Sequence, residues 1–275
     1  MESATFNTKL PFASIGTFDL APHIGEKNVA TLEEVDEVET PPGGEQYTPL
    51  PHGKAFRLVR DALEDVGMHV MESFHALARS GQRYMALLPV MPQKPTPYLS
   101  EYYPIVGVRN SHDQQFAFEL LIASGIYGVQ TLFFNDSEAV GMKRHVNLTD
   151  TLLYDAISDA AFSLPMGCER QERRFRFYRK AKIETREEVH HLVFRLHEED
   201  LIPSTYLVKV MDAWDNPPHP AMDRHGDSVW KLLNCVLHAR KGKYVFFQPS
   251  RNEDLAFFFD DLANYEPELF GELDN

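Results

Sequence analysis

Between two apolar runs, residues 106–118 read VGVRNSHDQQFAF and set Arg109, Asn110, Ser111, His112 and Asp113 side by side. Three kinds of chemistry are open to such a group. Guanidinium, ammonium and imidazolium groups donate to phosphate oxygens, so Arg109 and His112 could converge with Lys143, Arg144 and His145 at one sheet end as an anion site. A His beside an Asp can act as a general-base pair, and Ser111 next door suggests a nucleophilic triad. Adjacent residues of an extended strand point to opposite faces, which separates Ser111 from His112. The same alternation places Asn110 with His112, and Ser111 with Asp113. Binding is therefore expected ahead of catalysis. The competing expectation is structural, since Asn, Ser and Asp bond nearby backbone groups and so end strands or shape turns.

A second group lies at residues 170–182, RQERRFRFYRKAK, where seven bases stand against one acid with Phe175, Phe177 and Tyr178 interleaved. Affinity for a nucleic-acid backbone comes largely from charge neutralisation, and aromatic rings stack on bases. Arg170, Arg173, Arg174, Phe175, Arg176, Phe177, Arg179 and Lys180 are accordingly the nucleic-acid-binding candidates of this segment. On a helix, Arg170, Arg173 and Arg174 are expected on one side while Arg176, Arg179 and Lys180 point elsewhere. A solvated helix paired to acids accounts for the segment about as well.

A third group, HPAMDRHGD, places His219, Asp223, His225 and Asp227 within nine residues. Imidazoles and carboxylates can hold a divalent ion, but the spacing fits no recognised metal motif and a polar loop is the preferred reading. Cys168 and Cys235 lie far apart without metal-type spacing, so both are expected as ordinary thiols. There is no Gly-rich phosphate loop, because Gly43-Gly44 lacks the Lys that such a loop needs. No cofactor is expected.

The elements that must position these groups follow from periodicity. Residues 31–52 mix acids with Pro41, Pro42, Gly43 and Gly44 and read as a mobile linker within an acidic N-terminal segment, 1–52. From Gly53 a helix with Phe56, Val59 and Leu63 on one face runs to Gly67. Strand-like runs then continue to residue 148, with a hairpin at Ser80–Gln82 and close backbone approach at Gly125 and Gly128. After Thr149 the period changes to that of helices. Leu152, Leu153, Ala156, Ile157, Ala160, Ala161 and Leu164 form one stripe; Thr185 with Glu188 matches a capping box before Val189, Leu192, Val193 and Leu196. Two more helices are expected in STYLVKVMDAW and DSVWKLLNCVLHARKG. The fold class is thus α+β: a helix and an antiparallel sheet of about four to six strands over 53–148, then a helical half over 149–250. Residues 251–275 read as an acidic tail.

The net charge of −14 is unevenly spread. Residues 1–50 carry nine acids against two bases and residues 251–275 eight against one, while the stretch between is balanced. That leaves the central domain electrostatically able to carry a local basic patch. MESATFNTKLPF lacks the basic flank and apolar run of a signal peptide, and no apolar stretch is long enough to cross a bilayer, so no membrane partner is expected.

The string VGVRNSHDQQFAF, followed by SGIYGVQTLFF, by KRH at 143–145 and by VWKLLNCV at 229–236, resembles the phage and plasmid protein family known as domain of unknown function 932. The resemblance covers roughly residues 53–250. It implies a strand ending in Asn110–Asp113, a second strand, a helix-rich C-terminal half and a mobile genetic element as the source, and it brings no agreed activity. The chain departs from the family where GVQTLFFND lacks the Cys-Asp-Asn or Cys-Thr-Asn step.

These signals together lead to the expectation of a non-enzymatic phage or plasmid protein, cytoplasmic in a bacterial host. It would bind nucleic acid, single-stranded DNA above all, in replication or recombination. A homo-oligomer and a host protein stay open as further partners. The rival expectation is an acidic interaction protein that inhibits a host defence or host enzyme.

Overall fold

The structure, a computed structural model, describes residues 26–44, 47–92, 102–126, 131–136, 150–241 and 249–266. Short apolar runs separated by turns make up the first part, with β-branched and aromatic residues concentrated in β5 and β7, and it forms strands: β1 (Val29–Ala30), β2 (Met68–Val70), β3 (Phe74–Ala78), β4 (Arg83–Pro92), β5 (Tyr102–Ser111), β6 (Glu119–Ile126) and β7 (Thr131–Asp136). They make one seven-stranded antiparallel sheet in the order β1-β3-β4-β5-β6-β7, with β2 also beside β4. The fold is α+β, as expected, with more strands than four to six. Two strands were hidden in the sequence. Val29 and Ala30 extend the sheet beyond β3, and the run 68–78 breaks into β2 and β3, both of which pair with β4.

Side chains alternate across the sheet. Tyr84, Ala86, Leu88, Val106, Val108 and Leu120 face a core shared with two helices, α2 (His52–Asp65) and the first half of α3 (Asp150–Lys180). Phe56, Val59 and Leu63 come from α2; Leu153, Ile157, Ala161 and Leu164 come from α3. Met85, Leu87, Tyr103, Ile105, Leu121 and Ala123 form a separate cluster on the opposite face. At Gly125 an added Cβ would overlap the Tyr103 ring, which is the close approach expected there.

α3 is far longer than the stripe 152–164 suggested, because it continues through Pro165 and all but the last two residues of the basic segment to Lys180. Its first half serves the sheet core. Its second half places Phe175 and Tyr178 in another core, built with α4 (Arg186–Glu198), α5 (Leu207–Asp215), α6 (Val229–Ala239) and α7 (Pro249–Leu262). Tyr102, Ile126 and Phe133 close that core from the end of the sheet. α4 matches its expected stripe of Val189, Leu192, Val193 and Leu196. Thr185 Oγ1 accepts from Glu188 N at 3.1 Å, a cap of about 1 kcal/mol. The Glu188 carboxylate accepts from Glu184 N at 2.9 Å, one residue further back than the capping box places it.

Two segments read as loose carry structure. Within 31–52, α1 (Leu32–Asp36) is capped by Thr31 and Glu34, and Val35 and Leu50 are buried. Asp36 pairs with Arg57 of α2, whose guanidinium holds the Asp36 carboxyl below its ordinary range. Within 251–275, α7 buries Leu255, Phe259 and Asp260. Both were obscured by a count of acids that ignored the few apolar anchors between them.

Candidate functional site

Asn110 and His112 do share a face, and both reach the same atom. Asn110 Nδ2 donates to the Leu50 carbonyl at 2.8 Å, and His112 Nε2 meets it at 3.0 Å. A carbonyl only accepts, so the His112 proton sits on Nε2. His52, the first residue of α2, likewise gives Nε2 to the Gly81 carbonyl at 2.9 Å. Its Nδ1 then accepts the second Asn110 amide hydrogen at 2.8 Å, which requires that nitrogen to carry no proton. The imidazoles of His52 and His112 stack with centroids 3.9 Å apart and planes 8° from parallel, and the Tyr84 ring lies 5.1 Å from His52. Backbone bonds complete the clasp. His112 N donates to Gln82 O at 2.7 Å, and Tyr47 OH donates to His112 O at 3.1 Å. Burial pushes the His112 imidazole below its ordinary range.

The β3–β4 turn is shaped for this contact. Arg79, Ser80 and Gly81 all have positive φ, and an added Cβ at Gly81 would stand 3.1 Å from Val38. A neighbouring pair extends the network, with His75 Nδ1 at 3.0 Å from Tyr84 OH and Nε2 at 3.1 Å from Ser73 Oγ. Burial pushes the His75 imidazole down to about 4.

The other residues of the motif close on themselves. Arg109 ion-pairs with Glu119 on β6 and lies 4.5 Å above the Phe116 ring. Ser111 Oγ donates to Phe116 O at 2.8 Å, and Asp113 accepts from Arg83 Nε at 2.6 Å. Asp113 and the His112 ring therefore face different partners, and no general-base pair forms. Nor does the cluster suit an anion. Its imidazole, amide and hydroxyl donors are directed at carbonyls and at His52 Nδ1, and the Arg109 guanidinium is paired with Glu119; of the motif's buried atoms that lack a hydrogen-bond partner, Arg109 Nε is a donor, while Asn110 Oδ1 and His112 Nδ1 are acceptors in this tautomer. Lys143, Arg144 and His145 lie outside the described residues.

The basic segment is divided by the turn of the helix. Arg174, buried, donates from Nε to Asp260 Oδ1 of α7 at 2.9 Å, and Tyr178 OH donates to the same oxygen at 2.6 Å. Arg179 pairs with buried Glu172 at 3.2 Å and lies 5.3 Å over the Trp230 ring. Phe175 is a core residue with its ring 4.8 Å from Trp230, so it cannot stack on a base. Arg170 is half-buried, and its carbonyl accepts from Tyr265 OH at 3.5 Å. Arg173, Arg176, Phe177 and Lys180 are exposed. Steps of three and four residues put these four on one face, which replaces the expected grouping of Arg173 with Arg174. Phe177 leans on Tyr265 at 5.4 Å and stays 41% exposed.

The loop at 219–227 serves the fold. Asp223 and Asp227 hold the Lys231 ammonium at 2.7 and 2.9 Å, and His219 Nδ1 caps a short turn by accepting from Ala221 N. A cleft of about 470 Å³ between α5 and α6 is lined by Lys209, Asp212, Asn216, His238 and Lys241, a set of mixed sign. No helix among the described residues is long and apolar enough to cross a membrane.

No family model, no curated protein and no solved structure matches this chain. The likeness to domain of unknown function 932 therefore lends no residue roles to the site. Sequence reasoning missed His52, His75, Tyr47 and Tyr84. The one available signal was polar types, Tyr47 and His52, at the border of an acidic stretch and a helix.

Proposed function

We propose that this chain is a non-enzymatic nucleic-acid-binding protein. Its ligand is single-stranded DNA, met by Arg173, Arg176, Phe177 and Lys180 on the exposed face of α3. The observation that carries the reading is the sorting of the basic segment, which turns Arg174 and Arg179 inward onto carboxylates and leaves three cations and an aromatic ring outward on one face. Such a face supports backbone neutralisation and base stacking without base-specific readout. Arg109 and His112 take no part in it, since Glu119 and Leu50 occupy them. A setting in phage or plasmid replication or recombination goes with the resemblance of residues 110–113 and 229–236.

Titration of a labelled oligothymidylate by fluorescence anisotropy tests this. Three neutralised phosphates give a log–log salt slope of about −2 for a single strand. A flat salt dependence, or no binding at low ionic strength, would overturn the proposal.

A further inference from the structure

The outward face of α3 is ordered along its length as well as around its circumference. Asp155 and Asp159 come first, then Phe162 and Met166, then Glu169, and last Arg173, Arg176 and Lys180, in alternating steps of four and three residues. Every one of these positions is exposed, Phe162 at 76% and Met166 at 53%. The steps keep them on one line over about 38 Å, the length of a heptad seam. The helix dipole favours acids early and bases late, but it acts within the first and last turn and explains neither Asp159 and Arg173 nor two exposed apolar side chains.

We infer that α3 pairs with the α3 of a second copy of this chain, antiparallel, about a two-fold axis passing beside Gly167 and Cys168. The order of charges makes the seam its own complement. With Asp155 opposite Lys180 of the second copy, Asp159 falls opposite Arg176, Phe162 opposite Arg173 and Met166 opposite Glu169. The two-fold repeats each contact, so both ends of the seam are closed by opposite charges and Phe162 gains a guanidinium over its ring. Parallel pairing would set acids against acids and bases against bases. The apolar contribution is limited to Phe162 and Met166, so the dimer is concentration-dependent and weakens with salt. A second copy and a DNA strand would compete for Arg173, Arg176 and Lys180. The inference goes beyond the proposed function and stands without it.

Sedimentation equilibrium of the full chain, without nucleic acid, is the test. The wild type is expected to shift from monomer to dimer as concentration rises. Reversing the acids alone, Asp155→Lys with Asp159→Lys, or the bases alone, Arg176→Glu with Lys180→Glu, places like charges together and weakens the dimer at least about a hundredfold. The four substitutions combined restore opposite charges and restore the dimer, a rescue that damage to the fold cannot produce. A wild type that stays monomeric at every concentration overturns the inference, and so does a quadruple variant no better than either double. A monomer that dimerises only after deletion of residues 1–25 also overturns it, by assigning the seam to the chain's own N-terminal segment. A chain that dimerises at high concentration but ignores oligothymidylate even at concentrations where it is monomeric sinks the proposed function and leaves this inference intact; a chain that stays monomeric and binds it with steep salt dependence does the reverse.

Discussion

The clasp of the sheet half and the buried polar groups of the helical half are satisfied in opposite ways, although the sheet half also holds the Arg83–Asp113 and Arg109–Glu119 pairs. In the sheet half, imidazoles, an amide and a phenol share protons among themselves and with the carbonyls of Leu50 and Gly81. In the helical half, guanidinium and ammonium groups meet carboxylates: Arg174 with Asp260, Arg179 with Glu172, and Lys231 with Asp223 and Asp227. The difference teaches why the most suggestive motif in the sequence is a clasp. A neutral network is satisfied by direction, donor to acceptor, and it fixes where α2 and the segment before it dock. A buried ion pair is satisfied by charge, and it makes the helical half depend on both members being present.

That dependence gives the largest expected effect. Asp260→Ala strips Arg174 and Tyr178 of their shared acceptor and leaves a buried cation, a loss of about 3–5 kcal/mol in urea unfolding. Replacing the pair together, Arg174→Met with Asp260→Leu, is expected to recover most of it. A single variant as stable as the wild type would erase the contrast between the halves.

Acid sharpens the contrast from the other side. His75 is held down to about 4, against about 6.5 in an unfolded chain. Above pH ~6.5 the ring is neutral in both states; as pH falls from there, the unfolded chain takes up a proton that the folded one refuses. Stability is therefore lost between pH ~6.5 and ~4, by roughly 3 kcal/mol for this group, and His112 shifts in the same direction. His75→Phe should flatten the profile of the urea midpoint against pH. An unchanged profile would show that the imidazole is not held neutral.

A smaller change is expected from Asn110→Ala, which deprives Leu50 O and His52 Nδ1 of one donor each and costs about 1–3 kcal/mol. Leu50 O keeps His112 as a donor, so the clasp loosens without parting. Amide exchange at Ala55, whose N–H donates to Pro51 O, and at His112, whose N–H donates to Gln82 O, should quicken while α4 and α6 keep their protection.

Legibility in the sequence followed distance along the chain. Thr185 with the α4 stripe and the hairpin at Ser80–Gln82 were readable because each is decided within a few residues. The alternation that put Asn110 with His112 was readable for the same reason. Their partner was not: Leu50 lies sixty residues from Asn110, inside a segment whose acids and prolines read as linker. The basic segment shows the same limit, since Asp260 stands eighty-six residues from Arg174 in what read as an acidic tail. Local pattern could show that the arginines of 170–180 diverge around a helix; which of them turn inward was decided by distant carboxylates.

The proposed division of labour leaves the polar motif to the fold and gives the binding to α3. Oligothymidylate affinity, measured side by side for Arg109→Gln and for Arg173→Gln with Arg176→Gln and Lys180→Gln, tests it most directly. Unchanged affinity in the first and loss of salt-dependent binding in the second is the expected result. Binding that survives neutralisation of α3 and disappears with Arg109 would contradict it.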